Sequence, residues 1–268
     1  MVKALLRSLA LCLLVLALAL PAWAGPTLDH ITKTGVLRVG TSPTYPPLMM
    51  KTKDGKIIGF EADLARMLAQ SLHAKLKLVP MPFTDLLPAL QSGMVDMVIS
   101  GMSITADRNR KAVFVGPYLA SGQSMLTRMD SPVPLGGIKE MNKPNIKVAA
   151  AKGTTGEMAV KGLLPHANYV PAANQQAALK LLLAKKVDLV VADFPFCAVA
   201  AFRYRAQGIM GGDKAFTFEP FGIAVAPGDE LFVNLLENFL LVLKGTGQMN
   251  RLQQIWFQNA SWLKLLPK

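Results

Sequence analysis

Hydrophobic residues follow two different spacings along the chain, and their alternation predicts strands that are separated by helices. The run 36–40 is short, largely apolar and ends at a glycine, which is typical of a buried strand. Over residues 61–72 the apolar positions recur every three or four residues, which predicts an amphipathic helix. Further strands are predicted at 76–79 and 95–99, with a helix over 84–91 between them. This order predicts an α/β fold with a largely parallel sheet.

The second half of the chain shows a similar pattern. A strand over 146–151 leads through a Gly-Thr-Thr-Gly segment into a helix, and residues 221–225 are typical of a returning strand. An amphipathic helix is predicted over 231–244 and a final helix over 249–257. The helix–turn–strand pattern of residues 86–100 is echoed by residues 178–192. Two such units predict two lobes of similar build.

Asp54-Gly55 is a hairpin signal, and it separates the apolar runs 48–50 and 57–58. We expect a small β-hairpin there.

The first 24 residues are typical of a secretory leader. Lys3 and Arg7 precede an apolar run over 9–20, then Pro21 and an Ala-Trp-Ala sequence that ends at Ala24. The run is shorter than the roughly 20 residues that a transmembrane helix needs. We therefore expect residues 1–24 to be a signal peptide cleaved after Ala24, and the product to be soluble in the periplasm.

Composition removes several classes of function. The only cysteines are Cys12, in the leader, and Cys197, so no internal disulfide is expected. The three histidines are scattered, and we expect neither a metal site nor a cofactor. The formal net charge is +12, but no long basic cluster carries it. Together with export, this dispersed charge argues against nucleic acid as a partner.

Polar and aromatic residues follow the ends of the predicted strands, where open α/β sheets bind ligands. One cation, Arg108, and one anion, Asp193, stand among hydroxyl groups, glycines and two aromatic rings. A guanidinium suits a carboxylate and a carboxylate suits an ammonium group. The set therefore predicts a site for a zwitterion.

At this level of detail the chain resembles the periplasmic solute-binding proteins of polar amino acid ABC importers, the family 3 extracellular solute-binding proteins. The resemblance covers the whole of residues 25–268. It rests on these segments: Leu37-Arg-Val-Gly-Thr41, Tyr45-Pro-Pro47, Gly59-Phe-Glu-Ala-Asp-Leu64, Leu90-Gln-Ser-Gly-Met-Val-Asp96, Ser100-Gly-Met-Ser-Ile-Thr105, Arg108, Pro117-Tyr118, Gly153-Thr-Thr155, Val187-Asp188 and Asp193.

The resemblance implies a type II periplasmic-binding-protein fold, in which two α/β lobes are joined by a two-strand hinge with the ligand cleft between them. Lobe 1 would hold residues 25–120 and 221–268, and lobe 2 would hold residues 121–220. The ligand would be a free amino acid and the partner an inner-membrane ABC permease. We expect a monomer that is not an enzyme.

The same resemblance implies roles for individual residues. Arg108 would bind the ligand α-carboxylate in a bidentate fork, and Asp193 would bind the α-ammonium group. The remaining contacts would come from the Thr155 amide, the polar cage and the rings that enclose the side chain: Thr154, Thr155, Gly101, Met102, Ser103, Tyr45 and Phe83. Helix capping by Thr154, Thr155 and Asp193, and core packing by Tyr45 and Phe83, are the alternatives for these residues.

Three positions depart from the family pattern. Ser42 stands where relatives that bind cationic amino acids have an acidic residue, so we expect a ligand without a side-chain positive charge. Gly101 replaces a residue that is often Ser or Thr, so only its backbone can serve. Residues 48–50 (Leu-Met-Met) replace aromatic positions, and core packing is the favoured interpretation for them.

Two other functions are compatible with the sequence. The first is a periplasmic cyclohexadienyl (arogenate/prephenate) dehydratase, which uses the same fold and needs a proton donor in the cleft. Glu61 or Glu157 would be that donor, yet each suits a helix start, and Asp193 suits an ammonium group better than a second carboxylate. The second is a receptor that serves a sensor protein.

Overall fold

The computed structural model describes residues 25–131, 133 and 138–267. The predicted leader and its cleavage site lie outside the described residues. Within the described part of the chain, no helix combines the length and the apolar character that crossing a membrane requires.

The first sheet has five strands in the order β5-β1-β6-β13-β7. Its first three strands are parallel, and β13 and β7 run antiparallel to their neighbours. The strands are β1 (Val36–Thr41), β5 (Lys75–Pro80), β6 (Met97–Val98), β7 (Val113–Ser121) and β13 (Glu219–Val225).

The second sheet also has five strands, in the order β10-β9-β11-β8-β12. Here too the first three strands are parallel and the last two are antiparallel to their neighbours. The strands are β8 (Gln123–Arg128), β9 (Lys147–Ala151), β10 (Asn168–Ala172), β11 (Leu189–Asp193) and β12 (Ile209–Gly211). The echoed units of the sequence therefore end in β6 and β11, the central strands of two sheets of the same plan.

A third, small sheet is the expected hairpin with one more strand. It consists of β2 (Thr44–Tyr45), β3 (Met49–Lys51) and β4 (Ile57–Ile58), all antiparallel. Gly55 has a φ of 80° in the turn between β3 and β4, a conformation that favours glycine.

Helices flank the sheets and bury their apolar faces against them. They are α1 (Pro26–Thr34), α2 (Phe60–Ser71), α3 (Leu86–Gln91), α4 (Ala106–Asn109), α5 (Ile138–Met141), α6 (Thr155–Leu163), α7 (Gln175–Leu183), α8 (Phe194–Arg203), α9 (Glu230–Gly245) and α10 (Gln248–Gln253). The Leu48, Met49 and Met50 side chains are buried, which confirms the core interpretation for this run.

The structure differs from the sequence predictions at element ends, and it also contains elements without a sequence prediction, among them α1, β8 and β12. Only Met97–Val98 of the predicted strand 95–99 is paired as a strand. The predicted helix 84–91 begins with a 3₁₀ turn at Phe83–Asp85, and the last helix ends in a π turn at Gln254–Gln258. Strand β10 was not predicted: it contains Pro171 and lies at the edge of its sheet, where proline is tolerated.

The chain crosses between the two sheets at two adjacent points. Ser121, at the end of β7, pairs with Glu219, at the start of β13, and Gly122 follows at once. A Cβ atom on Gly122 would lie 1.8 Å from the Thr217 carbonyl oxygen, so the two crossing segments touch. This proximity suits a two-strand hinge. The lobe limits near residues 120 and 221 stay a prediction.

Candidate functional site

Residues from both sheets meet at a junction that we call the inter-sheet cleft. On the side of the first sheet it is bounded by Ser103 and Arg108, which follow β6. On the side of the second sheet it is bounded by Thr155, which follows β9, and by Asp193, the last residue of β11. The Ser103 and Thr155 hydroxyl oxygens lie 3.3 Å apart, and Arg108 Nη2 donates to the Gly153 carbonyl at 3.3 Å. The predicted residues from the two halves of the chain are thus brought together.

Arg108 lies in the short helix α4, whose N-cap Thr105 accepts the Arg108 N–H at 3.3 Å. Its Nη1 donates to the Ser103 carbonyl at 2.8 Å, and its guanidinium carbon lies 5.3 Å from the centre of the Phe83 ring. Burial lowers the pKa of the guanidinium, while the charges of Asp193 and Glu219 oppose this shift. The contacts hold the guanidinium at the cleft wall.

Asp193 is the last residue of β11 and the N-cap residue of α8, but its side chain caps nothing. Its Oδ1 accepts a hydrogen bond of 2.9 Å from Gln123 Nε2 instead. Burial, and then the charge of Glu219, raise the pKa of Asp193 to about 7. A positively charged group brought into contact with this carboxyl would favour its ionised form.

Thr154 and Thr155 divide the two roles that the sequence left open. The Thr154 hydroxyl accepts the Glu157 N–H at 3.3 Å and donates to the Ala151 carbonyl at 2.6 Å, so it caps α6. The Thr155 hydroxyl turns towards the cleft and donates to Glu219 Oε2 at 2.5 Å. Glu157 supports the helix start by accepting the Gly153 N–H at 2.6 Å.

Sequence reasoning missed Gln123 and Glu219, which both reach into the cleft. Gln123 is fully buried at the start of β8, directly opposite Asp193 in the ladder, and also donates to Thr155 Oγ1 at 3.2 Å. Glu219 Oε2 accepts from Ser103 Oγ at 2.6 Å. The one available signal was position, because both residues adjoin the predicted hinge.

Gly101 is a glycine for two structural reasons. Its φ is 57°, and a Cβ atom there would lie 2.7 Å from the Tyr45 ring. Its N–H donates at 2.6 Å to Glu61 Oε1, which also accepts from the Tyr118 hydroxyl. Glu61 therefore fixes the segment that carries Ser103, and it does so from the first turn of α2.

Burial dominates the electrostatics of Glu61. The residue is fully buried, its Oε2 has no hydrogen-bond partner among the described residues, and burial raises its pKa to about 7. The bonds from Tyr118 and Gly101 oppose this rise. The carboxyl is thus close to the balance between its neutral and ionised forms at neutral pH.

The other predicted residues are distributed between cleft and core. The buried Tyr45 ring packs edge-on against Phe196 of α8, with the ring centres 6.0 Å apart. Met102 packs its side chain in the core cluster that contains Leu86, and a ligand contact from Met102 stays a prediction. Ser42 is buried, and its N–H donates to Ser100 Oγ at 2.9 Å.

A groove of about 350 Å³ opens beside Ser42 and Phe83. Its lining contains one charged group, the Lys51 ammonium, and no carboxylate. It is lined by Ser42, Pro43, Thr44, Lys51, Pro80, Met81, Pro82, Phe83, Ala173 and Asn174. Within the described part of the chain, no group of three or more His, Cys, Asp or Glu side chains could hold a metal ion.

Comparison with known proteins identifies the family of the chain. The model of the bacterial extracellular solute-binding proteins, family 3, matches residues 37–259. A probable histidine-binding protein from Neisseria gonorrhoeae is 31% identical over 252 residues, which is 90% of this chain and 91% of that protein. A cyclohexadienyl dehydratase from Pseudomonas aeruginosa is 28% identical over 253 residues, 92% of each chain.

A solved structure shows the same fold. The binding component of an ABC transporter from Wolinella succinogenes, complexed with lysine, is 37% identical with a TM-score of 0.81, and the match covers 86% of this chain and 99% of that one. The protein has the type II binding-protein fold, and it belongs to the family 3 extracellular solute-binding proteins.

Proposed function

We propose that this protein is a receptor that captures a free L-amino acid and delivers it to an ABC permease. The observation that carries the proposal is the placement of Arg108 and Asp193 on the two sides of one cleft. These opposite charges face one cleft from different sheets, and each perturbs the pKa of the other. A zwitterion supplies one partner to each charge, so its binding would draw the two sheets together.

The side chain of the ligand is proposed to carry no positive charge. Ser42 offers no counter-charge, and the groove beside it contains the Lys51 ammonium rather than a carboxylate. Neutral side chains, or side chains with an acceptor oxygen, suit these groups. Two relatives are named for other ligands: the 37% identical structure is complexed with lysine, and the 31% identical protein is a probable histidine-binding protein. The ligand screen described next therefore includes amino acids with charged side chains as well as neutral ones.

The test is a thermal-shift screen of the 20 L-amino acids, followed by calorimetric titration of those that stabilise the protein. Stabilisation by at least one amino acid with a neutral side chain is expected. Stabilisation by lysine or arginine alone would overturn the side-chain proposal. No stabilisation by any amino acid would overturn the receptor proposal.

The proposed place of action rests on the predicted leader. We expect the mature chain to begin at Gly25, to be a periplasmic monomer, and to engage its permease with both lobes. Intact-mass measurement of the periplasmic fraction checks the cleavage site. A protein that keeps residues 1–24, or that stays in the cytoplasm, would contradict it.

A second candidate function is a cyclohexadienyl (arogenate/prephenate) dehydratase. Two observations favour it: the Pseudomonas aeruginosa relative carries that name, and Asp193 has a pKa of about 7 in the cleft, which suits a general acid. We propose that the protein is not this enzyme, because Glu219 and Asp193 together disfavour a substrate with two carboxylates. Incubation with prephenate and with arogenate, followed by assay of the aromatic product, decides between the two functions.

A further inference from the structure

Glu219 joins the two sides of the cleft through hydroxyl groups. The residue is buried, and its Oε2 accepts hydrogen bonds from Ser103 Oγ at 2.6 Å and from Thr155 Oγ1 at 2.5 Å. Its Oε1 accepts from Thr217 Oγ1 at 3.2 Å. Three hydroxyl groups therefore donate to a single carboxylate. Ser103 and Thr155 lie on opposite sides of the cleft, and Thr217 lies beside the predicted hinge.

A hydroxyl group has one proton and two lone pairs. The protons of Ser103 and Thr155 are both directed at Glu219, so these hydroxyls can only accept hydrogen bonds from a ligand. The same holds for the nearby Asp193 carboxylate when it is ionised. The side-chain amide of Gln123 offers no free proton either, because its Nε2 donates to both Asp193 and Thr155.

We infer that Glu219 is a positioning residue that makes this wall of the cleft selective for a protonated amino group. An ammonium group has three protons to donate, and it meets acceptors at Asp193, Ser103 and Thr155. The oxo group of a 2-oxo acid has only lone pairs, so it would face the same acceptors without a donor. This inference rests on the proposed amino acid ligand and adds the source of its selectivity.

The size of the effect follows from the cost of an unpaired polar group in a buried site. Sites that are built to hydrogen-bond one group discriminate strongly against an analogue that lacks it. Replacing Glu219 by Met frees both hydroxyl protons, which can then turn towards an oxo oxygen. The preference for the amino acid over the oxo acid should therefore fall by roughly tenfold or more, since the hydrogen bonds that are lost involve a charged group.

The experiment compares two probes by calorimetric titration. They are the tightest-binding amino acid from the screen and the 2-oxo acid with the same side chain. Wild type should bind the amino acid at least roughly tenfold more tightly than the oxo acid. Glu219→Met should reduce the ratio of the two affinities, and Glu219→Gln, which keeps one acceptor oxygen, should give an intermediate ratio. Glu237→Gln, on the exposed face of α9, is the matched control and should leave the ratio unchanged.

Two further measurements separate selectivity from folding. Circular dichroism and thermal unfolding show whether each variant is folded, and Glu219→Gln carries the test if Glu219→Met does not fold. In a Ser103→Ala, Thr155→Val background the Glu219 substitutions should no longer change the ratio, because the hydroxyls through which Glu219 acts are absent.

The outcomes are distinct. If wild type binds amino acids and the folded Glu219 variants keep the full preference for the amino acid over the 2-oxo acid, the inference is overturned and the proposed function is not. A wild type that binds no amino acid overturns the proposed function and the inference with it. A reduced ratio in the Glu219 variants that disappears in the double-substituted background supports the inference.

Discussion

A guanidinium recognises a carboxylate through the geometry of its two N–H groups as well as through its charge. Nη1 of Arg108 already donates a hydrogen bond to the Ser103 carbonyl, and this contact orients the guanidinium beside the Phe83 ring. Lysine could supply the charge without that geometry. The identity of the side chain should therefore matter at this position more than its charge.

We predict that Arg108→Ala reduces affinity for the ligand by roughly 30-fold to several thousand-fold, as expected when one partner of a buried charge pair is removed. Arg108→Lys should lose much of the affinity as well. Calorimetric titration measures both. Arg110→Ala is the control, because Arg110 is exposed and forms an ion pair with Asp107 of α4. Equal affinity in wild type and Arg108→Ala would mean that another residue binds the carboxylate.

Glu61 makes a prediction about pH. Its pKa is about 7 in the folded protein against an ordinary value of 4.5, so the folded state binds its proton more tightly than the unfolded state does. The associated stability is fully present below pH 4.5 and is lost as the pH rises through about 7. At ~1.4 kcal/mol per pH unit, the loss is about 3 kcal/mol.

Glu61→Gln keeps an oxygen for the Gly101 and Tyr118 donors and cannot ionise. We therefore predict that the variant loses less stability than wild type between pH 5 and pH 8. Urea unfolding at several pH values measures the difference. Glu237→Gln should follow the wild-type curve, and a Glu61→Gln curve parallel to wild type would contradict the raised pKa.

At this scale the sequence predicts single residues better than their partners. Arg108, Asp193 and Thr155 lie in recognisable local motifs, and the structure brings them to one cleft. Gln123 and Glu219 have no such motif. Their roles depend on the register of β8 against β11 and of β13 against β7, which are pairings between distant parts of the chain.

At the scale of elements, one carboxylate links the N-terminus of α1 to the N-terminus of α9. Asp229 Oδ1 caps α9 by accepting the Phe232 N–H at 2.9 Å, and Oδ2 accepts the N–H groups of Thr27 and Leu28 at the start of α1, both at 2.9 Å. Asp229 is itself almost completely buried. A single residue thus satisfies three backbone donors at two helix N-termini.

We predict that Asp229→Ala lowers the free energy of unfolding by about 2–3 kcal/mol, since a single lost N-cap typically costs about 1 kcal/mol. The melting temperature should fall by roughly 4–12 °C in a chain of this size. Differential scanning calorimetry measures the change. Asp213→Ala, at an exposed aspartate, should have no comparable effect. If the melting temperature of Asp229→Ala stayed within about 1 °C of wild type, water would be able to replace the carboxylate as acceptor for these backbone N–H groups, and the prediction would be wrong.

Apolar spacing predicted the long elements well and the short ones poorly. Helices α2 and α9 lie within one or two residues of their predicted bounds, because a long buried face repeats its signal several times. The strand predicted over 95–99 contains five residues, yet only two of them pair as β6. Burial keeps the surrounding residues apolar whether or not their backbone joins the sheet.

At the scale of the whole molecule, a ligand that contacts Arg108 and Asp193 links the two sheets. We predict that it stabilises both together, in one cooperative transition. At a ligand concentration of 100 times Kd the gain is about 2.7 kcal/mol, which corresponds to a rise of roughly 5–11 °C in melting temperature. Scanning calorimetry with and without ligand measures the rise. Arg108→Ala is the control and should show little response, and two separate transitions, of which only one moves, would contradict the link.

The placement of β13 has a consequence for the order in which the molecule is built. All five strands of the second sheet lie between residues 123 and 211, whereas the first sheet receives its fourth strand only from residues 219–225. When the chain emerges with its N-terminus first, all strands of the second sheet are therefore available while the first sheet still lacks the strand between β6 and β7. The strand that fills the gap brings Glu219 with it. The cleft is thus complete only once β13 has been added, and we expect a truncated product that ends before β13 to lack Glu219 and to lose ligand binding.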